Sequence, residues 1–528
     1  LERGRHVEHG EDYIGENKVP WELKFRDRVD RKIADENHKI QKQCYAFRDG
    51  TKHFFVNDLD HPYSHPEEKP FTWIRGDHLG GRSLQWARQS YRLSDLDFDA
   101  NKVDGNGVDW PIRYKDLKKW YDHVEEFAGI TGSIEGLSQL PDGVFQPPME
   151  LNCVEKHVKS RIEKDFPGRN LIIGRCAHLT VPHNGRGQCQ NRNRCSRGCP
   201  YGAYFSSNSV TLPAAHATGN LTIRPFSIVQ SIIYDDSKGK ATGVRIIDAE
   251  TNEDIEYSAK VIFCNASTLS STQILLNSKS ERFENGLGND SGELGHNLMD
   301  HTYRVGAMGK VEGFDDKYYK GRRPNGIYIP RYWNINTETK NDKFLRGFGY
   351  QGAGFRGGNA ANIEDFGANY KDSILEPGPW EFFITGFAEC LPYHDNQVSL
   401  NDTVLDKWGQ PTLAIDAEFK ANEKAANKQI QEDAVEMLQK SGLKDVIGFD
   451  NEHPPGYGVH EMGTARMGRD PKTSVLNGFN QVHTAKNVFV TDGACMTSSS
   501  CVNPSLTYMA ITARAANYAV SELKKMNL

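Results

Sequence analysis

"KNVFVTDGACMTSSSCVNPSLTYMAITARAANYAVSELKKM", residues 486–526, is the stretch on which the fold turns. Val488 to Val490 make an apolar run of strand length, and Asp492-Gly493 ends it in a turn. After a Ser/Thr-rich connection, Asn503 at the N-cap and Pro504 at the first helical position signal a helix. That helix is predicted to run toward the C-terminus with Leu506, Ala510, Ala513 and Val520 along one side. A buried strand, a turn and a long helix are the working unit of an α/β fold.

Just upstream, "GYGVHEMGTARMG" (456–468) sets His460 before a Gly463-Thr464 turn. Read singly, His460 is a loop histidine and Asn503 a cap. Residues 219–278 are strand-rich, through "NLTIRP", "SIVQSIIYD", "ATGVRIID" and "IEYSAKVIFCNAS". The last is predicted to be a buried strand passing Ala266 and Ser267 into a Ser/Thr-capped helix, and such strand-to-helix turns are where doubly wound folds bind ligands. The chain opens "LERGRHVEHGEDY". An apolar residue, an acid and Arg-Gly read as the end of the second strand of a dinucleotide-binding unit, with Glu2 on the adenosine ribose, or as an arbitrary terminus. The Gly-rich turn of that unit belongs roughly 20 residues upstream of the acid, so it is expected before Leu1.

"FTWIRGDHLGGRSLQWARQSYRL" (71–93) holds Gly80-Gly81 followed by Ser83 and Trp86. Adjacent glycines allow close backbone approach to a ligand, or make an ordinary tight turn. Residues 109–132 read as a surface helix with Leu117, Tyr121 and Val124 inward, and 418–442 as an amphipathic helix burying Ile430, Ala434, Val435 and Leu438. Residues 310–375, with "GFGYQGAGFRGGNAAN" at the extreme, read as a lid or substrate loop, or a plain surface insertion, rather than as core.

With 528 residues and 25% charged side chains, the chain is large enough for two to four domains. Its formal net charge of −6 exerts no global pull on nucleic acid or an anionic membrane. No apolar run is long enough to span a bilayer. Ten cysteines are too sparse for a disulfide scaffold. Three of them, however, cluster: Cys189, Cys195 and Cys199 in "GQCQNRNRCSRGCPYGA" (187–203), spaced C-x5-C-x3-C among Arg186, Arg192, Arg194 and Arg197. A structural zinc site wants a fourth ligand, for which His183 is near; a disulfide leaves one thiol over; a three-iron cluster takes three thiolates. Basic neighbours would favour the thiolate forms.

Taken together, these segments resemble the glucose–methanol–choline (GMC) family of flavin oxidoreductases, over nearly the whole chain and in the family's order. "LERGR" is similar to its second strand, "GDHLGGRSLQW" to its flavin-contacting Gly-Gly-x-Ser segment, and "WPIRYKDL" to a helix start. "GELGHNLMDH" (292–301), "HEMGTARMG", "VFVTDGACM" and "VNPSLT" follow. The resemblance implies an α/β (α+β overall) fold: a Rossmann-type FAD-binding domain assembled from discontinuous segments (1–108, 205–305 and 456–528) and a substrate domain with an antiparallel sheet (109–204 and 306–455). The N-terminal Gly-rich βα unit is expected upstream of this sequence, so that a chain starting at Leu1 would not hold FAD by itself.

In that frame His460 is the base taking the hydroxyl proton and Asn503 the partner orienting the hydroxyl, with hydride passing to flavin N5. The FAD contacts implied are Glu2, Arg3, Gly80, Gly81, Ser83, Trp86, Ala266, Ser267, Asp492, Gly493, Asn503 and Pro504. Gln85 stands where some members carry a histidine linked covalently to FAD, so non-covalent FAD is expected. Some bacterial sugar dehydrogenases of the family carry a 3Fe–4S cluster on a C-x5-C-x3-C motif ending as "CPYGA" does here, which implies a cluster on Cys189, Cys195 and Cys199. A sugar or glucoside substrate, a small partner subunit, a protein acceptor such as cytochrome c or a quinone-type acceptor, and a periplasmic rather than cytoplasmic location are implied by the same resemblance. Two alternatives remain: an oxygen-using oxidase with structural zinc, and a non-catalytic carbohydrate-binding or scaffold subunit.

Overall fold

Trp380, Phe382 and Ile384 alternate along the strand Pro377–Ala388 and are all buried, so one face of that strand is committed to a core. In the computed structural model, which describes residues 1–317, 324–358, 366–373 and 375–528, this strand lies inside a six-stranded antiparallel sheet. The order across it is Ile172–Ile173, Ile327–Ile329, Phe348–Gly358, Pro377–Ala388, Val305–Val311 and Lys444–Asp450. The helix Ala421–Lys440 lies on one face, where Ile430, Ala434 and Leu438 join Phe382, Ile384 and Ala307 in one apolar cluster.

Residues 347–358 correct the expectation of a lid. Phe348–Gly358 is an inner strand paired with Pro377–Ala388 from Phe348↔Ala388 to Gly358↔Pro377, and Phe348 and Tyr350 are buried. The rest of the proposed lid includes 318–323, 359–365 and 374, which lie outside the described residues.

A second layer contains a parallel pair, with Val488 opposite Ile262 and Phe489 opposite Phe263. Because the strands run the same way, both exit at one edge. The turns at Ala266-Ser267 and Asp492-Gly493 thus become neighbours: the Ser271 hydroxyl bonds the Asp492 carboxylate and accepts from the Ala266 N–H at 2.8 Å. Beside this layer stands a meander of Ser227–Asp235, Lys240–Asp248 and Asp254–Ser258. "NLTIRP" is not a strand; its Arg224 carbonyl instead accepts the Glu2 N–H at 2.9 Å. Leu1–Arg5 likewise forms no strand beyond a single parallel bridge, Arg5 to His78.

The expected helices form at Tyr114–Ala128, Ala421–Lys440 and Ser505–Lys524. Leu117 and Tyr121 are fully buried, and the Tyr121 hydroxyl meets Thr507 at 2.8 Å, so the first of these packs on the last. In that last helix Ala515 and Ala519 are buried while Val520 is exposed, which rotates the apolar stripe from the expected one. Its N-cap position falls on Pro504 rather than Asn503. The helix Thr268–Asn277 also lacks the expected side-chain cap: Ser267 sits at its N-cap with φ 77° and makes no capping bond.

Candidate active site

His460 and Asn503 arrive from different segments and meet: Asn503 Nδ2 lies 3.3 Å from His460 Nε2. Asn503 is free to do this because its amide is not used as a helix cap. Its other end is held from the large sheet, where Gln351 Nε2 donates to Asn503 Oδ1 at 2.5 Å. In this arrangement the amide turns its oxygen to Gln351 and its nitrogen to His460.

The loop carrying His460 is clamped by one buried carboxylate. Asp300 Oδ1 accepts the His460 N–H at 3.0 Å, and Oδ2 accepts those of Gly456 at 2.7 Å and Gly458 at 3.1 Å. Burial, with the nearby Glu461 charge second, pushes the Asp300 carboxyl up to about 7, against the pull of those backbone donors. The next residue, His301, reaches His460 directly, Nδ1 to Nδ1 at 2.9 Å, and Ser500 O through Nε2 at 2.7 Å. Burial holds the His301 ring down at about 4 and the His460 ring well below its ordinary value, so both are neutral near pH 7. Asp300, His301 and Gln351 were not singled out by sequence reasoning. The first two sit in the quoted "GELGHNLMDH" stretch, and Gln351 was hidden in the glycine-rich run.

An aromatic wall borders the pair. Phe387 lies 6.3 Å from the His460 ring, Tyr303 stacks on Phe387 at 5.0 Å, and Tyr457 stands 5.9 Å from Tyr303.

The residues expected to hold FAD fall into several places. Gly80 (φ 90°) and Gly81 (φ 48°) both take left-handed backbone that favours glycine. A Cβ on Gly80 would strike Asn208, whose amide is occupied by Val7 O and Leu79 O, whereas a Cβ on Gly81 would meet nothing within 4 Å. Gly81 therefore borders open space. Ser83 is turned inward as the acceptor of the Ser207 N–H at 2.9 Å, and Trp86 donates to Phe205 O at 3.0 Å. Ala266 and Ser267 are exposed at the sheet edge beside Asp492. Burial raises the Asp492 carboxyl to about 6. At Gly493 a Cβ would lie 2.3 Å from Thr268 Oγ1 and 2.9 Å from the Tyr508 hydroxyl.

That same hydroxyl and Glu461 Oε1 are buried without hydrogen-bond partners. Buried polar groups rarely go unpaired. Unpaired buried groups beside the close-packed Asp492-Gly493 turn, together with the open space at Gly81, suit a polar cofactor such as FAD. Arg3 is pinned between Asp77 (3.1 Å) and Asp406 (2.9 Å), and Glu2, half-buried, accepts the Gly4 N–H at 2.9 Å.

The three thiols share one loop and are free and partly exposed. The arginines do not face them as expected. Arg192 and Arg197 pair with Glu16 and Asp27, and Arg194 and Arg186 donate to Glu16 O and Ala128 O, so they pin the loop to neighbouring segments. Cys189 is not activated: burial pushes its thiol up to about 11. Cys195 lies 3.7 Å from His178 Nε2. Among the described residues, no group of three or more His, Cys, Asp or Glu is arranged to hold a metal ion, so neither zinc nor a cluster gains support from the side-chain geometry. Gln85 Nε2 donates to Ser196 O at 2.8 Å, tying the Gly80-Gly81 segment to this loop.

The comparisons with known proteins give the family and the fold. Two family models, both described as GMC oxidoreductase, match residues 38–303 and 392–512. The chain is 29% identical to 2-methyl-1,2-propanediol dehydrogenase of Mycolicibacterium austroafricanum, over 86% of this chain and 83% of that one. It is 23% identical to the fructose dehydrogenase large subunit of Gluconobacter japonicus, over 85% and 81%. Among solved structures, pyridoxine 4-oxidase from Mesorbium loti superposes with a TM-score of 0.57 at 13% identity, covering 97% of this chain and 98% of that one, a likeness of fold. Together with the His460–Asn503 pair, these matches place the chain in the GMC oxidoreductase family, as an FAD-dependent oxidoreductase acting on CH–OH donors.

Proposed function

We propose that the protein is a sugar or glucoside dehydrogenase in which His460 takes the proton of a substrate hydroxyl that Asn503 orients. The observation that carries this reading is the Asn503 Nδ2–His460 Nε2 contact at 3.3 Å, held from one side by Gln351 and from the other by His301. A hydroxyl entering between them donates to Nε2 and accepts from the amide, so its O–H points at the base and its carbon is held in a fixed direction. His460 is neutral before reaction, as a base must be. The Gly80-Gly81 and Asp492-Gly493 turns would hold FAD non-covalently, and it would supply the two-electron acceptor for the hydride leaving that carbon. The first N–H groups of the Ser505–Lys524 helix stand next to Asn503 and favour negative charge there.

Phe387, Tyr303 and Tyr457 offer ring faces to the C–H faces of a carbohydrate. We assign the regions around 109–204 and 306–455 to substrate binding and the remainder to FAD. A finer reading places a 3Fe–4S cluster on Cys189, Cys195 and Cys199, passing electrons to a small partner subunit or a cytochrome c. It rests on three free thiols in one loop and on the family resemblance, and no step above depends on it. Iron and zinc analysis of the anaerobically purified protein tests it; zinc without iron overturns it.

The substrate reading is tested by adding methyl glucoside without oxygen to the FAD-loaded protein. Bleaching of the oxidised flavin bands is expected. Bound flavin that stays oxidised would refute the sugar class.

A further inference from the structure

His301 does more than fill space beside His460. It is buried, and its two ring nitrogens face partners of different kinds. Nε2 lies 2.7 Å from the Ser500 carbonyl oxygen, which only accepts, so Nε2 carries a proton. A neutral ring has one N–H, which leaves His301 Nδ1 as an acceptor. The Nδ1–Nδ1 contact at 2.9 Å then requires the proton on His460 Nδ1. His460, also neutral, is left with its lone pair on Nε2, the nitrogen beside Asn503.

We propose that His301 is a positioning residue that locks His460 in the Nδ1-protonated tautomer, so that Nε2 is presented to the substrate hydroxyl as the base. The inference rests on His460 being that base. In water a neutral histidine samples both tautomers, and the other one would aim an N–H at the substrate, where no proton could be accepted.

The lock has its own anchor. Ser500 holds a left-handed backbone, φ 58°, uncommon for a residue other than glycine. Its N–H donates to Glu389 Oε1 at 2.9 Å and its hydroxyl to Asp97 Oδ1 at 2.7 Å. Glu389 is in turn paired with the buried Arg346 at 2.7 Å. A strained residue held by two buried carboxylates aims its carbonyl at one ring nitrogen. Thus a chain of contacts runs from Arg346 through Glu389, Ser500 and His301 to His460, and the Ser500 carbonyl, which only accepts, sets the donor and acceptor roles of the two rings that follow.

Nitrogen NMR of the FAD-loaded, 15N-histidine-labelled protein reads the tautomers directly. His460→Ala and His301→Gln assign the signals. The expected pattern is a protonated Nδ1 and bare Nε2 on His460, and the reverse on His301. A wild-type His460 protonated at Nε2 would overturn the inference without any variant needing to fold.

The rate of flavin bleaching by methyl glucoside gives the second readout. His301→Phe keeps the volume but removes the acceptor, and should slow bleaching by about 10²–10⁴-fold, the scale of losing a correctly poised base. His301→Gln can donate to Ser500 O and accept from His460 Nδ1 and should stay within about tenfold of wild type. His301→Phe at the wild-type rate, with His460→Ala slow, would refute the lock alone. Both variants at the wild-type rate would instead refute His460 as base.

Discussion

Replacing Asp300 by asparagine tests whether one carboxylate holds the His460 loop. The substitution keeps size and removes one acceptor oxygen. Oriented with its nitrogen at the Oδ1 position it loses the His460 N–H bond; oriented the other way it loses both the Gly456 and Gly458 bonds. The first loss is the smaller. At pH values well above about 7, where the Asp300 carboxyl is ionised, a hydrogen bond to a charged acceptor contributes about 1.5–3 kcal/mol, and the bonds that survive fall toward the roughly 1 kcal/mol of a neutral pair. The loop therefore loses about 3 kcal/mol or more of local restraint, which is more than a hundredfold in its opening equilibrium at about 1.4 kcal/mol per tenfold.

Global stability changes less, because burial and Glu461 already disfavour the Asp300 charge, and removing that charge returns part of the cost. The discriminating assay is thus local. Hydrogen exchange of a peptide spanning 454–462 should accelerate about a hundredfold or more, with a matching loss of kcat at retained flavin content. Exchange within threefold of wild type, with kcat unchanged, would refute the clamp.

Three further outcomes follow from the same geometry. Gln351→Leu frees the Asn503 amide to turn, so kcat should fall about tenfold with FAD still bound, the scale of one lost neutral hydrogen bond; steady-state kinetics with unchanged kcat would show that Asn503 is oriented by other means. His301 has a folded pKa of about 4 against 6.5 when exposed. It therefore contributes stability that is complete above pH 6.5 and is lost as pH falls toward 4, about 3 kcal/mol in all. In denaturant titrations His301→Gln should lose that much less than wild type between pH 7 and 4, and identical slopes would contradict the depressed pKa. Acid precipitation should release all flavin into the supernatant, because Gln85 has no nucleophilic nitrogen to bond FAD; yellow protein in the pellet would contradict this.

Much of the site was legible in the sequence wherever a residue type and its local punctuation coincide. His460 before a glycine turn, Asn503-Pro504 before a helix and the Gly80-Gly81 pair could each be picked out from neighbours in the chain. The supports were not legible, because each acts across more than 100 residues: Asp300 to His460, Gln351 to Asn503, and Glu389 on the strand exit to Ser500. Gln351 was further concealed by glycines at 347, 349, 352 and 354, which weaken the alternation that marks a strand. Pairing on both sides makes Phe348–Gly358 a strand despite them. The cap misassignment at Asn503 has a related cause. Asparagine suits a helix start and a substrate contact equally, and only the position of His460 in space decides between them.

The central claim is that His460 removes the proton that allows the alcohol carbon to be oxidised. The most direct measurement is the anaerobic rate of flavin bleaching by a reactive alcohol in FAD-loaded wild type and His460→Ala, at matched flavin content. The account predicts a fall of about 10²–10⁴-fold in the variant, the usual contribution of a general base. Equal rates would contradict it.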